Sequence, residues 1–327
     1  MIQAAYISCP IAEREFEPRR ITHAFHDVDG THSLIRDWPP VMSIVLHTVI
    51  QNGIYDGYDS EDAVRRLAAQ AGSHPLPETD AFCVESAGLS ALTQMEWAIR
   101  RAMEEGTVQI DCDPEANAQK VKKIYAGEEQ LEDIAEPAAV QAFLSEHTPR
   151  LFRFYEKVLN VYCRDRNLQL ARREPDRFRI RGSMEFLQYL KENGVVNYFV
   201  TGAVVEQGRG MMEEVEALGY PVGHGKLVEE MIGSTWTEKL PKDVIMRRLL
   251  DKLGIRGGQV LVVGDGRSEI AAGTEMGALT LGRLPAHAHR QRELQKQLGV
   301  HLIAEDYTDP DLYRILRGET EQAKECR

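Results

Sequence analysis

The segment His26-Asp27-Val28-Asp29-Gly30-Thr31 sets two carboxylates one residue apart at the end of a short apolar run, residues 21–25. The run reads as a strand. Side chains alternate along an extended chain, so Asp27 and Asp29 leave the strand end on the same side. Gly30 allows the chain to turn sharply away. Carboxylates in this arrangement can divide the work of a reaction, one attacking while the other moves protons. An acidic strand-to-turn cap uses the same residue types, so the remaining segments must decide between the two.

Three later segments share the pattern of an apolar run that stops at a polar residue. Residues 195–200 lead into Thr201-Gly202, residues 259–263 into Gly264-Asp265-Gly266, and Glu238-Lys239-Leu240-Pro241-Lys242 precedes an amphipathic stretch. Together they have the parts of a phosphoryl-transfer site. Asp27 is the candidate nucleophile and Asp29 the candidate proton carrier. Asp27 and Asp265 can hold a hard cation through oxygen, with Glu269 one helical turn later binding the metal or orienting its waters. Thr201 and the N–H groups beside Gly202 can receive phosphoryl oxygens, and Lys239 or Lys242 can offset the accumulated negative charge. Spacing to the following helix favours Lys239. Gly30, Thr31, Gly202 and Arg36 complete the expected substrate contacts.

The elements that must position these residues fall into two groups. Residues 36–172 carry almost no strand signal. Helices are predicted from Pro39-Pro40 to Gly53, over 60–71 with Ser60 as cap, over 90–105, from Asp113-Pro114 to about Tyr125, from Glu136-Pro137, and over 147–164. The rest alternates helices with strands that lack polar alternation, as in a parallel sheet covered on both faces. In such sheets chemistry lies beyond the carboxyl ends of the strands, where Asp27, Thr201 and Asp265 all fall. The predicted fold is therefore α/β: a Rossmann-like parallel sheet with helices on both faces, plus an inserted, mostly helical cap. Residues 1–35 and 173–327 form the core, with 1–20 as an N-terminal extension serving as a surface arm or extra edge element, and 36–172 form the insert.

In this order the four segments resemble the motifs of the haloacid dehalogenase (HAD) superfamily. The resemblance covers roughly residues 20–35 and 176–316, including Asp306-Tyr307-Thr308-Asp309 near the end, and the insert resembles that family's helical cap of the first type. It implies an Mg²⁺-dependent phosphatase that forms an aspartyl-phosphate on Asp27, with Asp29 as general acid/base. It also implies Mg²⁺ held by Asp27, Asp265 and the Asp29 carbonyl, with Glu269 where aspartate is more frequent. The second aspartate favours phosphate esters over dehalogenation. A phosphomutase keeps both aspartates and is the alternative, as is a binding protein that retains the fold without turnover. His26 and His32 depart from the aromatic or apolar residue and the leucine usual at their positions; a packed strand residue is the favoured account of His26.

The 327 residues are 43% hydrophobic and 28% charged, as in an ordinary globular chain. A net charge of −12 argues against nucleic acid as partner and leaves room for a small phosphorylated substrate. Five widely spaced cysteines without a CxxC pair fit a reducing compartment. The sequence shows neither a membrane span nor a signal peptide, so the expected location is cytoplasmic. Of the insert residues, His47, Arg100 and Arg101 are candidate readers of the leaving group, and Trp38 and Trp97 are expected in its core.

Overall fold

The computed structural model describes residues 7–8, 21–35, 37–236 and 238–317. Arg36 and most of the N-terminal extension lie outside the described residues. Seven strands form one sheet in the order β1-β7-β6-β5-β2-β3-β4. They are β1 (Ile7–Ser8), β2 (His23–His26), β3 (Val196–Glu206), β4 (Glu230–Ser234), β5 (Val260–Gly264), β6 (Leu279–Arg283) and β7 (Leu302–Ala304). β2 to β7 pair in parallel. β1 joins the edge antiparallel to β7, making it the extra edge element.

The chain winds from β2 outward to β3 and β4, then returns to the other side of β2 for β5, β6 and β7. The strand order therefore reverses between β2 and β5, the crevice where ligands bind in open α/β sheets. His26 pairs with Val263 across this switch, so Asp27 and the Gly264-Asp265 turn leave the sheet side by side.

The central strands are buried on both faces, apart from half-buried His23 at the start of β2. Ala24, Leu261 and Val263 pack beneath α8 (Ser183–Glu192) and α13 (Pro310–Leu316). Phe25, Val260 and Val262 pack beneath α10 (Lys242–Leu253) and α11 (Arg267–Glu275). The alternation along β2 assigns His26 to the α8 face and sends Asp27, in phase with Phe25, toward α10.

Between β2 and β3 lies the helical insert, with α1 (Pro39–Asn52), α2 (Glu61–Gln70), α3 (Pro77–Glu85), α4 (Ala91–Glu104), α5 (Pro114–Tyr125) and α6 (Ala138–Leu159), followed by a single π turn. Its buried apolar residues from Val41 to Cys163 form one cluster, joined by Val204 of β3. α7 (Asp165–Arg173) instead packs Leu168 and Ala171 against α9 (Gly210–Ala217) in a sheet-side cluster. The last helix of the stretch 36–172 thus packs on the sheet side, because helical periodicity alone does not reveal which core a helix face meets. The remaining helix, α12 (His289–Gln297), precedes β7.

Candidate active site

Asp27 begins where β2 ends and is 5% exposed. Its partner is Lys242, whose Nζ lies 2.9 Å from Asp27 Oδ1 and 3.1 Å from Glu269 Oε2. Lys242 opens α10 on the sheet face that Asp27 enters. The loop before it is strapped by Ser234, whose Oγ accepts the Leu240 N–H at 3.0 Å. Lys239, three residues earlier, points to the insert instead and donates to Glu96 Oε2 on α4 at 3.1 Å. The spacing argument that favoured Lys239 is thus corrected: the short loop, fixed by a long-range contact, delivers the second lysine to the strand ends.

The Asp265 carboxylate sits against the turn that follows Asp29. Gly30 has φ +68°, a left-handed conformation, and a Cβ there would fall within the Asp265 carboxylate. Glycine is required on both counts. Thr31 Oγ1 donates to Asp265 Oδ1 at 3.4 Å, and the Gln295 side chain donates to the Asp265 carbonyl at 2.9 Å. Thr31 is fully buried. Expected to contact substrate, it lies instead behind Asp265 and does not line the cavity.

Glu269 closes the N-terminus of α11. Its Oε1 accepts the Gly266 N–H at 2.6 Å, which satisfies one donor at the helix start, and Oε2 accepts Ser268 Oγ at 2.9 Å. Asp27, Asp265 and Glu269 offer oxygens within 4.8 Å of one another. Three carboxylates around one ammonium leave net negative charge, and the donors are all hard oxygens; both features suit a divalent cation.

Electrostatics follow from burial. Burial disfavours a charged Lys242, but Asp27 and Glu269 outweigh it and hold the amine protonated. Burial raises Asp27's affinity for a proton, and the Lys242 ammonium opposes it. Asp265 is pushed up to about 6 by burial and by the charge of Glu269.

Asp29 lines the cavity over this cluster, as do Gly30, Gly202 and Ala203. β3 continues past Thr201 with an irregularity in its pairing to β4, although the sequence suggested that it stops there. Thr201 is buried, and its Oγ1 accepts the Ala203 N–H at 3.1 Å. A Cβ on Gly202 would lie 2.6 Å from the Leu89 carbonyl of the insert.

His26 and His32 are fully buried and bonded to each other, Nδ1 to Nε2 at 3.1 Å. His26 Nε2 meets Asn197 Oδ1 at 3.2 Å, and His32 Nδ1 meets Ser183 Oγ at 2.6 Å. Tyr307 stacks on His32 and donates to the Thr31 carbonyl at 3.0 Å. Burial lowers His26 to about 3 and also lowers His32, so both are neutral. They lock the motif turn onto α8 and away from the reacting face. Asn197, Ser183 and Tyr307 serve this lock without any local sequence signal. Gln295 is likewise silent in the sequence, because it reaches Asp265 from a helix 30 residues away.

Among the candidate readers, Arg100 is buried in ion pairs with Glu96 and Glu136, and Arg101 pairs with Glu78, Glu104 and Glu105. Neither lines the cavity, nor does His47. Trp97 stacks on Phe82 in the insert core, and Trp38 packs against that core while also lining the cavity.

The strand order and the cluster define an open α/β protein with a carboxylate–lysine centre at its switch point. The four segments that carry the HAD resemblance meet at this end of the sheet. Neither a protein-family model nor a curated protein matches the chain. Similar solved structures include a hydrolase from Pseudomonas syringae, 14% identical with a TM-score of 0.44, covering 91% of this chain and 99% of its own. A beta-phosphoglucomutase from Clostridium difficile is 12% identical, with a TM-score of 0.46 and coverage of 91% and 98%. A HAD family hydrolase from Deinococcus radiodurans with bound phosphate and sodium is 15% identical, with a TM-score of 0.41 and coverage of 92% and 97%. At these values the chemistry has to be read from this chain's own residues.

Proposed function

We propose that the chain is a HAD-type phosphatase that hydrolyses a small phosphomonoester through an aspartyl-phosphate on Asp27. The observation that carries the reading is the Asp27 carboxylate at the end of β2, held 2.9 Å from the buried Lys242 ammonium and grouped with Asp265 and Glu269. An Asp27 oxygen attacks phosphorus and the ester P–O bond breaks, while Asp29 gives its proton to the departing alkoxide. A water then attacks the phosphorus, Asp29 takes its proton, and inorganic phosphate leaves with Asp27 restored. Lys242 balances charge on the transferring group, and the chain around Gly202 and Ala203 forms a wall for its oxygens.

Asp27, Asp265 and the Asp29 carbonyl would hold Mg²⁺, with Glu269 beside them, and the ion would supply the positive charge that lets an anionic phosphate approach carboxylates. The helical insert acts as a cap that keeps bulk water from the site, and the widely spaced cysteines without a CxxC pair support a cytoplasmic location. Among the described residues no helix is long and apolar enough to cross a membrane.

The test is phosphate release from a panel of phosphomonoesters with and without Mg²⁺, comparing wild type with Asp27→Asn. Equal activity in the two proteins would overturn the nucleophile assignment. Isomer formation in place of phosphate release would assign a phosphomutase, and metal-dependent binding without any turnover would assign a regulatory protein.

A further inference from the structure

Between α3 and α4 the insert sends a loop, residues 86–90, onto the site. Ala87, Gly88 and Leu89 of this loop line the cavity over Asp27. The loop is shaped from within the insert. The Leu89 N–H donates to the Ser86 carbonyl at 3.0 Å, the Gln94 amide donates to Ser86 Oγ at 2.9 Å, and Glu129 Oε1 accepts the Ser90 N–H at 2.9 Å. It meets the sheet side as a preformed unit. Gly88 leads it, with φ +93°, a left-handed conformation that favours glycine. A Cβ there would lie 2.8 Å from Ser268 Oγ and 3.1 Å from Glu269 Oε2.

Ser268, the second residue of α11, receives this loop, and contacts run without a break from the loop to the nucleophile. Ser268 Oγ lies 2.6 Å from the Gly88 carbonyl and 2.9 Å from Glu269 Oε2. The same Glu269 oxygen lies 3.1 Å from Lys242 Nζ, and Nζ lies 2.9 Å from Asp27 Oδ1. A hydroxyl carries one hydrogen, whereas a carbonyl and a carboxylate only accept. Ser268 can therefore serve Gly88 or Glu269, not both at once. With the loop seated, the shorter contact takes the hydrogen and Glu269 Oε2 is left to Lys242. With the loop withdrawn, the hydrogen turns to Glu269 Oε2 and competes there with the Lys242 ammonium.

We propose that Ser268 is a positioning residue that couples the seating of the 86–90 loop to the placement of Lys242, acting through Glu269. The proposal rests on the phosphatase reading above and adds a control to it. The ammonium is fixed on Asp27 when the insert covers the site, so phosphoryl transfer is timed to a substrate shielded from bulk water.

The experiment compares wild type, Ser268→Ala, Ser268→Thr, Lys242→Met and the double variant Ser268→Ala/Lys242→Met. Each is assayed with Mg²⁺ on p-nitrophenyl phosphate, glycerol 3-phosphate and 2-phosphoglycolate. On the ester that wild type hydrolyses fastest, Ser268→Ala is expected to lower kcat by about fivefold to tenfold. In the Lys242→Met background the same change is expected to alter kcat by less than about twofold, because the group it acts through is gone. Ser268→Thr keeps the hydroxyl and is expected to stay within about twofold of wild type. Hydrogen exchange read by mass spectrometry is expected to quicken at the amides of residues 86–90 in Ser268→Ala and to match wild type in Ser268→Thr.

An equal loss of kcat from Ser268→Ala in the two backgrounds overturns this inference alone, since a purely structural role would add independently of Lys242. Unchanged exchange at residues 86–90 in Ser268→Ala also overturns it alone. Absence of turnover for all three esters in wild type, or turnover indifferent to Asp27→Asn, overturns the phosphatase reading and this inference with it.

Discussion

Exchanging each of two lysines for methionine separates the site seen in the structure from the one favoured by spacing. The Lys242 side chain is 2% exposed, and its carboxylate partners Asp27 and Glu269 are 7% and 0% exposed. Lys242→Met removes the ammonium and leaves both carboxylates buried. Breaking a buried pair of this kind costs about 3–5 kcal/mol, so the metal-free protein should show a clearly lower urea midpoint. Turnover loses a group aimed at developing negative charge, a loss of about 10²–10³ in kcat. Lys239 is more exposed, at 27%, and Glu96 keeps Arg100 at 2.8 Å after Lys239 is gone. Lys239→Met should therefore cost about 1–2 kcal/mol in stability and leave kcat near the wild-type value. Both proteins are assayed by phosphate release at a temperature where circular dichroism shows each folded. Wild-type turnover in Lys242→Met, or a larger loss in Lys239→Met, would refute the placement of the site lysine.

Gly30→Ala adds a methyl group against the Asp265 carboxylate in a left-handed backbone; it should destabilise by more than about 1 kcal/mol and abolish turnover, as read by denaturation and phosphate release. Chelation should stop the reaction and added Mg²⁺ restore it, and Asp265→Asn should raise the half-saturating metal concentration by about tenfold or more, a titration that an unchanged midpoint would contradict. Acid should weaken the fold through the histidine lock. Burial holds His26 at about 3 and also lowers His32, while the unfolded chain titrates near ~6.5. Below that value the unfolded state binds more protons, so the stabilisation is present above pH ~6.5 and is lost as pH falls toward about 3. The slope is up to about 1.4 kcal/mol per pH unit per histidine, and in urea unfolding at pH 7.5 and 5.5 His26→Phe should lose one histidine's share of it.

The elements that carry chemistry were legible where local pattern and long-range position coincide. Asp27 and Asp265 follow buried strands, and a residue at the end of such a strand has one place to go. α2 and α5 were equally readable, because Ser60 and Asp113 cap them through their own side chains. The failures have physical causes. α3 was not predicted, since Pro77 starts a helix as readily as it ends one. β4 was missed because Gly233 interrupts its apolar run; a Cβ there would lie 2.5 Å from the Ala203 carbonyl of β3. The choice between Lys239 and Lys242 and the burial of Thr31 were out of reach for a common reason. A three-residue offset in a loop, and the side on which a turn buries its threonine, are set by Ser234 and Asp265, both distant in sequence. Arg36, expected to contact substrate, falls outside the described residues.

Part of the seam between insert and sheet is built from backbone carbonyls. The Leu89 carbonyl lies over Gly202, the Gly88 carbonyl accepts Ser268 Oγ at 2.6 Å, and the Ala87 carbonyl lies near Gly266. Contacts made by carbonyl groups place little demand on the identity of the residue that bears them. Gly88, Gly202 and Gly266 are fixed by steric need, but Ala87 can drift while its carbonyl contact stays intact. The mouth of the site is thus robust to mutation at its hinge of contact and evolvable at its lining, so a new leaving-group preference can arise by changing wall residues without rebuilding the way the two halves meet.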